Sequence, residues 1–345
     1  MNTASLYPLT FQPVYLSYLW GGQRIATFFD RPHTPPVCAE SWEVSDRPEG
    51  PSRVANGPWQ SCSLADLIRS YPQEILGPHA PSPRFPLLIK LIDAAQRLSL
   101  QVHPDNSSAA AVGGEPKTEL WVVLDATPDA YVYAGFKEPL TPDRFQTALA
   151  TRSLPNLLHR VAVQAGDALF IPGGRVHAIG EGCLLLEIQQ NSNTTFRVHD
   201  WDRIGPDGRS RALHLDQALK VIDWNNTESG LIRFPRPPSP NPTLLLECPL
   251  FRVEQIGIRE PIEWTRHPDG FQILFIAEGS LFLEGGGIET QAPRGSSWLI
   301  PAGMDPLRLR AATVGEEARL WRITVPFPVT PHGKGWIPFT RARQA

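Results

Sequence analysis

Gly166-Asp167-Ala168-Leu169-Phe170-Ile171-Pro172-Gly173-Gly174-Arg175-Val176-His177 and Gly295-Ser296-Ser297-Trp298-Leu299-Ile300-Pro301-Ala302-Gly303-Met304-Asp305-Pro306 follow one pattern. Each runs glycine, five residues, proline, one residue, glycine, two residues and a final position. The run before each proline is apolar and of strand length, and each Pro-x-Gly is a turn signal. Each copy therefore reads as strand, turn, strand, and two copies predict two related halves. The final position is His177 in the first copy and Pro306 in the second. Only the first half keeps a metal-binding side chain there.

The rest of the chain fits a mainly β reading. Its 36 prolines and 27 glycines punctuate short apolar runs. Strands are expected in Pro86–Ile92, Leu98–His103, Glu119–Leu124, Ala130–Ala134, Asp167–Ile171 and Leu184–Gln189. A few short helices are expected at 63–76 (with Ser63 as N-cap), Thr141–Ala150, Ser153–Arg160 and Ala212–Ile222. Residues 233–243 hold five prolines in eleven positions and read as a stiff linker. The expected organisation is a catalytic domain over 1–232, the linker over 233–243, and a degenerate second β domain over 244–345 without metal ligands.

Composition excludes several functions. Of 345 residues, 32 are basic and 35 acidic, for a formal charge of −3, which argues against nucleic acid as a partner. No window approaches 18 unbroken apolar residues, so no membrane span is expected. Met1–Pro8 has neither a basic nor a long apolar stretch, so no secretory signal is visible. Four scattered cysteines form no CxxC pair and no disulfide framework. A cytoplasmic protein, monomeric or a small homo-oligomer, is the expectation.

The chemistry-bearing residues follow from strand alternation. Gln101 and His103 are two apart in one strand and share a face. Glu119 lies in a second strand and His177 in a third. Two imidazoles, a carboxylate and an amide meeting inside a barrel suit a borderline divalent ion such as Zn²⁺, with positions left open for substrate. Gln101 either ligates the ion or orients substrate. Only five of the 32 basic residues are lysines, and Lys90 and Lys117 flank the ligand strands. Lys117, two residues before Glu119, shares its face. Both are candidate phosphate contacts, with Arg175 and Arg203 as weaker ones.

The repeated pattern resembles the second motif of the cupin superfamily, which implies two cupin-like jelly-roll barrels. Longer stretches resemble type I mannose-6-phosphate isomerase (phosphomannose isomerase) in its short bacterial form: Leu98-Ser99-Leu100-Gln101-Val102-His103-Pro104-Asp105, Lys117-Thr118-Glu119-Leu120-Trp121, and the block from Leu186 to Trp201. Leu19-Trp20-Gly21-Gly22 and Ala39-Glu40-Ser41-Trp42-Glu43 resemble it too. The likeness spans about residues 11–224 and is weak after the linker. It implies that Gln101, His103, Glu119 and His177 bind one Zn²⁺ per chain and that Arg197 is the catalytic arginine. It also implies that Lys90, Ser99, Lys117, Glu187, Trp20 and Glu40 line the pocket. Asn193 departs from the pattern, because the family commonly has Asp there.

The implied reaction interconverts mannose 6-phosphate and fructose 6-phosphate, a hexose 6-phosphate pair, through a cis-enediol. Glu187 is a candidate proton shuttle, with metal-bound hydroxide as the other. Arg197, always protonated, would stabilise enediolate charge or hold substrate. Two other readings fit the metal ligands: an Fe-dependent cupin dioxygenase, and a non-catalytic cupin that binds sugar phosphate.

Overall fold

Two strands run as nearly unbroken apolar stretches because both their faces are buried. Every residue of Leu87–Ala94, and all of Cys183–Gln190 but its last, is buried. They lie beside Glu119–Ala126 in a seven-stranded antiparallel sheet. Its order is Leu231–Ile232, Ala168–Ile171, Glu119–Ala126, Cys183–Gln190, Leu87–Ala94, Glu40–Val44, Val14–Leu16. Alternation sorts the side chains. Leu87, Ile89, Leu91, Leu120, Val122, Leu184, Leu186 and Ile188 join one apolar core, whereas Ile92, Trp121, Val123 and Leu185 join another on the opposite face. A sheet covered on both sides needs apolar residues at successive positions, so a period of two is hard to see in its strands.

The computed structural model describes residues 6–205, 208–233, 242–313 and 315–327. In front of the central sheet lies a five-stranded sheet of Leu158–Ala162, Tyr131–Phe136, His177–Ile179, Leu100–Val102 and Phe196–His199. Behind it lies a second seven-stranded sheet. This one is built from Thr243–Glu247, Arg252–Ile258, Ala318–Thr324, Gln272–Glu278 and Ser297–Ile300, extended by Leu9–Gln12 and Arg53–Val54. Phe275, Leu299, Trp321 and Ile323 of this rear sheet, with Phe251 and Phe271 just before two of its strands, complete the core behind the central one. A four-stranded sheet of Ile262–Trp264, Leu307–Ala311, Leu281–Gly285 and Ile288–Ala292 covers the rear sheet's other face. The molecule is mainly β, with a few short helices, as its composition implied.

Local chemistry explains where the elements depart from expectation. The helix expected at 63–76 is two, Leu64–Ser70 and Pro72–Leu76. Ser63 Oγ caps the first by accepting from the Asp66 N–H, and Tyr71 leaves helical backbone before Pro72. The helix expected at Ser153–Arg160 is a single 3₁₀ turn, Leu154–Leu157, followed by a strand, Leu158–Ala162. Pairing with Tyr131–Phe136 outweighs the helical tendency there. The expected Ala212–Ile222 helix narrows to Leu215–Val221. A short helix, Arg24–Phe28, was not foreseen; its first N–H donates to Asp93 Oδ2 at 2.7 Å. Residues 234–241, most of the expected linker, lie outside the described residues. Leu9–Gln12 pairs with Ser297–Ile300, so the start of the chain is tied into the rear sheet.

The registers align the two halves residue by residue. Ile171 pairs with Glu119, and its counterpart Ile300 pairs with Gln272. Glu187 pairs with Trp121 and Lys90; its counterpart Arg322 pairs with Leu274 and Glu254. Thus the rear half has Gln272 for Glu119 and Pro306 for His177. It also holds the Lys90–Glu187 ion pair with its charges exchanged, as Glu254 and Arg322, 2.7 Å apart.

The core between the two seven-stranded sheets should dominate stability. Leu186→Ala, at a fully buried position in it, is expected to cost about 2–5 kcal/mol in urea unfolding. A loss below about 1 kcal/mol would contradict tight sheet-on-sheet packing there.

Candidate metal centre and active-site pocket

Three strands deliver four side chains to one point. Glu119 begins its strand on the central sheet. His177 begins a strand of the front sheet and pairs in register with Gln101. His103 follows one residue after the Gln101 strand, on the same face. The turn before His177 holds these strands together. The Gly174 N–H donates to the His103 carbonyl at 2.8 Å. A Cβ at Gly173 would sit 2.6 Å from the Asp105 backbone, so this close approach requires glycine.

The donor atoms converge. One ligand atom from each of His103, Glu119 and His177 lies within 4.8 Å of the others, and all three residues are buried. His103 Nε2 is 3.0 Å from Glu119 Oε1, and the two imidazole centroids are 4.7 Å apart. His177 Nδ1 lies 2.8 Å from the Arg175 carbonyl oxygen. That oxygen only accepts, so Nδ1 carries the proton and the Nε2 lone pair faces the cluster. The Gln101 amide comes within 3.4 Å of His177 Nε2, at the same point.

Electrostatics set the protonation states. Burial, reinforced by the Lys117 ammonium, pushes His103 down to about 3; burial pushes His177 down to about 4. Both imidazoles are therefore neutral at pH 7. Burial alone would raise Glu119, but the Lys117 ammonium, 2.7 Å away, holds it well below the usual carboxylate range. Two neutral imidazoles and one carboxylate facing a common centre are a donor set for a divalent cation, and they suit zinc-type coordination. The Lys117 ammonium, 3.3 Å from His103 Nε2, already places one positive charge against these donors.

Beside the cluster opens a pocket of about 380 Å³. Trp20, Glu40, Lys90, Ser99, Gln101, Lys117, Glu187 and Arg197 all line it, so the structure brings these expected residues together. Trp121 Nε1–H lies 3.0 Å from both Glu119 Oε2 and Glu187 Oε1, joining the two carboxylates. Lys90 lies 3.2 Å from Glu187 and 3.4 Å from Glu40. Burial disfavours its ammonium, but these two carboxylates outweigh that and raise its pKa. Burial, then the charge of Glu119, raises Glu187.

Arg175 is a correction. It was expected to bind substrate, but it precedes the strand and lies in the turn. Its guanidinium is buried, donating to Asn226 Oδ1 at 2.7 Å and to the Phe170 carbonyl at 2.6 Å. It braces the turn that carries His177 and does not line the pocket. Arg203 also points elsewhere, donating to the Arg97 carbonyl. Asn193 is at the rim, its amide 3.3 Å from Glu49 Oε1. Sequence reasoning missed three polar lining residues, Tyr18, Thr195 and Arg211, and the apolar Ile92, Leu98 and Ile179. Arg211 lies 14 positions after Arg197, outside any quoted block.

Comparisons with known proteins point to one family. The family model for the phosphomannose isomerase type I catalytic domain matches residues 9–139. The chain is 33% identical over 307 residues to the mannose-6-phosphate isomerase ManA of Bacillus subtilis, covering 88% of this chain and 95% of that one. A probable mannose-6-phosphate isomerase of the same organism, GmuF, is 38% identical over 218 residues, 63% and 68% of the two chains. A crystal structure of a Bacillus subtilis mannose 6-phosphate isomerase superposes with a TM-score of 0.82 at 29% identity, covering 92% of this chain and all of the other.

The depressed histidines make stability depend on pH. In the unfolded chain each imidazole binds a proton below about 6.5; in the metal-free folded chain it does not until about 3 or 4. The unfolded state thus binds more protons in that window, and folding weakens as pH falls. Between pH 7 and 5 the metal-free protein should lose about 2 kcal/mol per buried histidine. His177→Gln should flatten the curve. A stability profile that rises on acidification would contradict neutral buried imidazoles.

Proposed function

The chain is a member of the mannose-6-phosphate isomerase family, and on that premise we propose that it interconverts mannose 6-phosphate and fructose 6-phosphate with one zinc ion per chain. The observation that carries this reading is the position of Glu187, Lys90 and Arg197 in one pocket beside the His103–Glu119–His177 donors. A dioxygenase would need the ligands but not these cations.

His103, Glu119, His177 and Gln101 would hold the ion, with the Gln101 amide oxygen turned inward. A divalent ion there supplies Lewis-acid polarisation of the substrate carbonyl without redox change. Everything else falls to the chain. Moving the carbonyl between C1 and C2 carries one proton between the two carbons and a second between O2 and O1, through a cis-enediol(ate). Glu187 takes the proton from one carbon and returns it to the other; its raised pKa suits a group that must both accept and donate. Lys90 and the Trp121 N–H hold its two oxygens in place. Lys117 keeps Glu119 ionised and places an ammonium near the substrate oxygens. Arg197, always charged, stabilises negative charge on the enediolate. Trp20, Glu40 and Ser99 shape the pocket and hold hydroxyls. Asn193 offers an amide, so no acid at that position takes part.

A coupled assay from mannose 6-phosphate to fructose 6-phosphate should show activity that a chelator removes and zinc restores. His177→Ala should lose metal and activity together. Arg197→Ala should keep stoichiometric metal and lose about 10²–10³ in kcat. Full metal occupancy in His177→Ala would refute the ligand assignment.

A further inference from the structure

An ion network stands just outside the pocket, on the side where Asn193 lines it. Its centre is Arg47, a buried guanidinium in a two-residue strand, Asp46–Arg47, that pairs with Gly50–Pro51. Arg47 grips Glu49 in a fork, Nε to Oε2 at 3.2 Å and Nη2 to Oε1 at 3.0 Å. Its Nη1 donates to Glu115 Oε2 at 2.7 Å and to the Asn191 carbonyl at 3.2 Å. Glu115 in turn holds the segment that follows Asn191. Its carbonyl accepts from Ser192 Oγ at 3.1 Å, its Oε2 from the Asn193 N–H at 3.3 Å, and its own N–H donates to Thr194 Oγ1 at 2.9 Å. Glu115 lies two residues before Lys117, and Asn193 four before Arg197. The network thus clamps two pocket segments to each other.

The clamp also decides which way the Asn193 amide faces. The hydrogen bonds from Arg47 hold the Glu49 carboxyl down to about 2, so it is ionised and only accepts. Asn193 Nδ2, 3.3 Å from Glu49 Oε1, is the end that meets it. The amide is planar, so its oxygen lies on the opposite branch, away from Glu49. We propose that Asn193 is a specificity residue for the sugar: its amide carbonyl, turned to the pocket by Glu49, accepts a hydrogen bond from a substrate hydroxyl remote from C1 and C2. A carbonyl oxygen needs a donor, which a hydroxyl supplies and a phosphate dianion does not. Asn193 is at the rim, whereas Gln101, Lys117 and Glu187 form the reacting end. Arg47, Glu49 and Glu115 are positioning residues. The network also accounts for an amide at 193. One guanidinium already faces two carboxylates, and a third carboxylate beside Glu49 would be repelled. The inference rests on the isomerase reading for its sugar.

Mannose 6-phosphate titrated calorimetrically into zinc-loaded protein, beside steady-state kinetics, tests this. Asn193→Ala should weaken binding about fivefold, the worth of one neutral hydrogen bond, with the loss falling on KM rather than kcat. Asn193→Asp should weaken it more, about tenfold at low salt and less at high salt, because repulsion between exposed carboxylates is screened. Adding Glu49→Gln to Asn193→Asp should restore most of the affinity, because a glutamine amide donates to a carboxylate. Zinc content and circular dichroism verify that each variant folds. Asn193→Asp binding as well as wild type would overturn the amide orientation. Unchanged KM in Asn193→Ala, in a protein that turns over mannose 6-phosphate, would overturn the hydroxyl contact alone. The expected pattern of binding in a chain without turnover would uphold the contact and overturn the isomerase reading.

Discussion

A carboxylate that water does not reach must stay ionised for this pocket to work. Glu119 is fully buried, and burial alone would protonate it. The Lys117 ammonium holds it charged, and Trp121 fixes its second oxygen. The same burial keeps His103 and His177 neutral, so that their lone pairs are free. One property, low exposure at the meeting of three strands, therefore sets opposite charge states on neighbouring groups. It yields a donor set that a divalent ion completes. Trp121 then joins this cluster to Glu187, so the candidate metal donors and the proposed proton shuttle share one strut.

The rear half shows what the scaffold does without that constraint. It repeats the registers of the front half, but Gln272 stands for Glu119 and Pro306 for His177. Its central ion pair survives with the charges exchanged, Glu254 with Arg322 in place of Lys90 with Glu187. A salt bridge at these register positions is thus compatible with the sheet in either polarity, whereas among the described residues the candidate metal donors lie in one half. Arg322 is doubly bonded to Glu254 and lies 5.1 Å from the Trp264 ring centre. In the front half Lys90 lies 5.3 Å from the Trp42 ring centre. What distinguishes the front half is the His103–Glu119–His177 donor cluster, not the framework.

Much of the site was legible because strand alternation is local. Gln101 and His103, two apart, had to share a face, and the Gly-x5-Pro-x-Gly turn announced where His177 would emerge. The resemblance added the central carboxylate, Glu187, and the pocket arginine, Arg197. What stayed hidden depends on distant partners. Arg175 sits two residues before His177 and would share its face in a strand, but it lies in the turn and bonds to Phe170 and Asn226. Leu158–Arg160, the end of the expected Ser153–Arg160 helix, is strand because it pairs with Tyr131–Phe136, which lies upstream across a helix. The pairing of Thr10 with Trp298 joins residues from opposite ends of the chain, and no local pattern announces it. Arg211 enters the pocket because Asp200 turns it there, a contact that neither residue type predicts.

The most direct test of the central claim is zinc-edge anomalous diffraction together with X-ray absorption on the protein as purified. The account predicts one ion per chain between His103, Glu119 and His177, with imidazole nitrogen and oxygen donors at about 2.0–2.2 Å. An ion located elsewhere, or one bound by thiolate sulfur at about 2.3 Å, would contradict it.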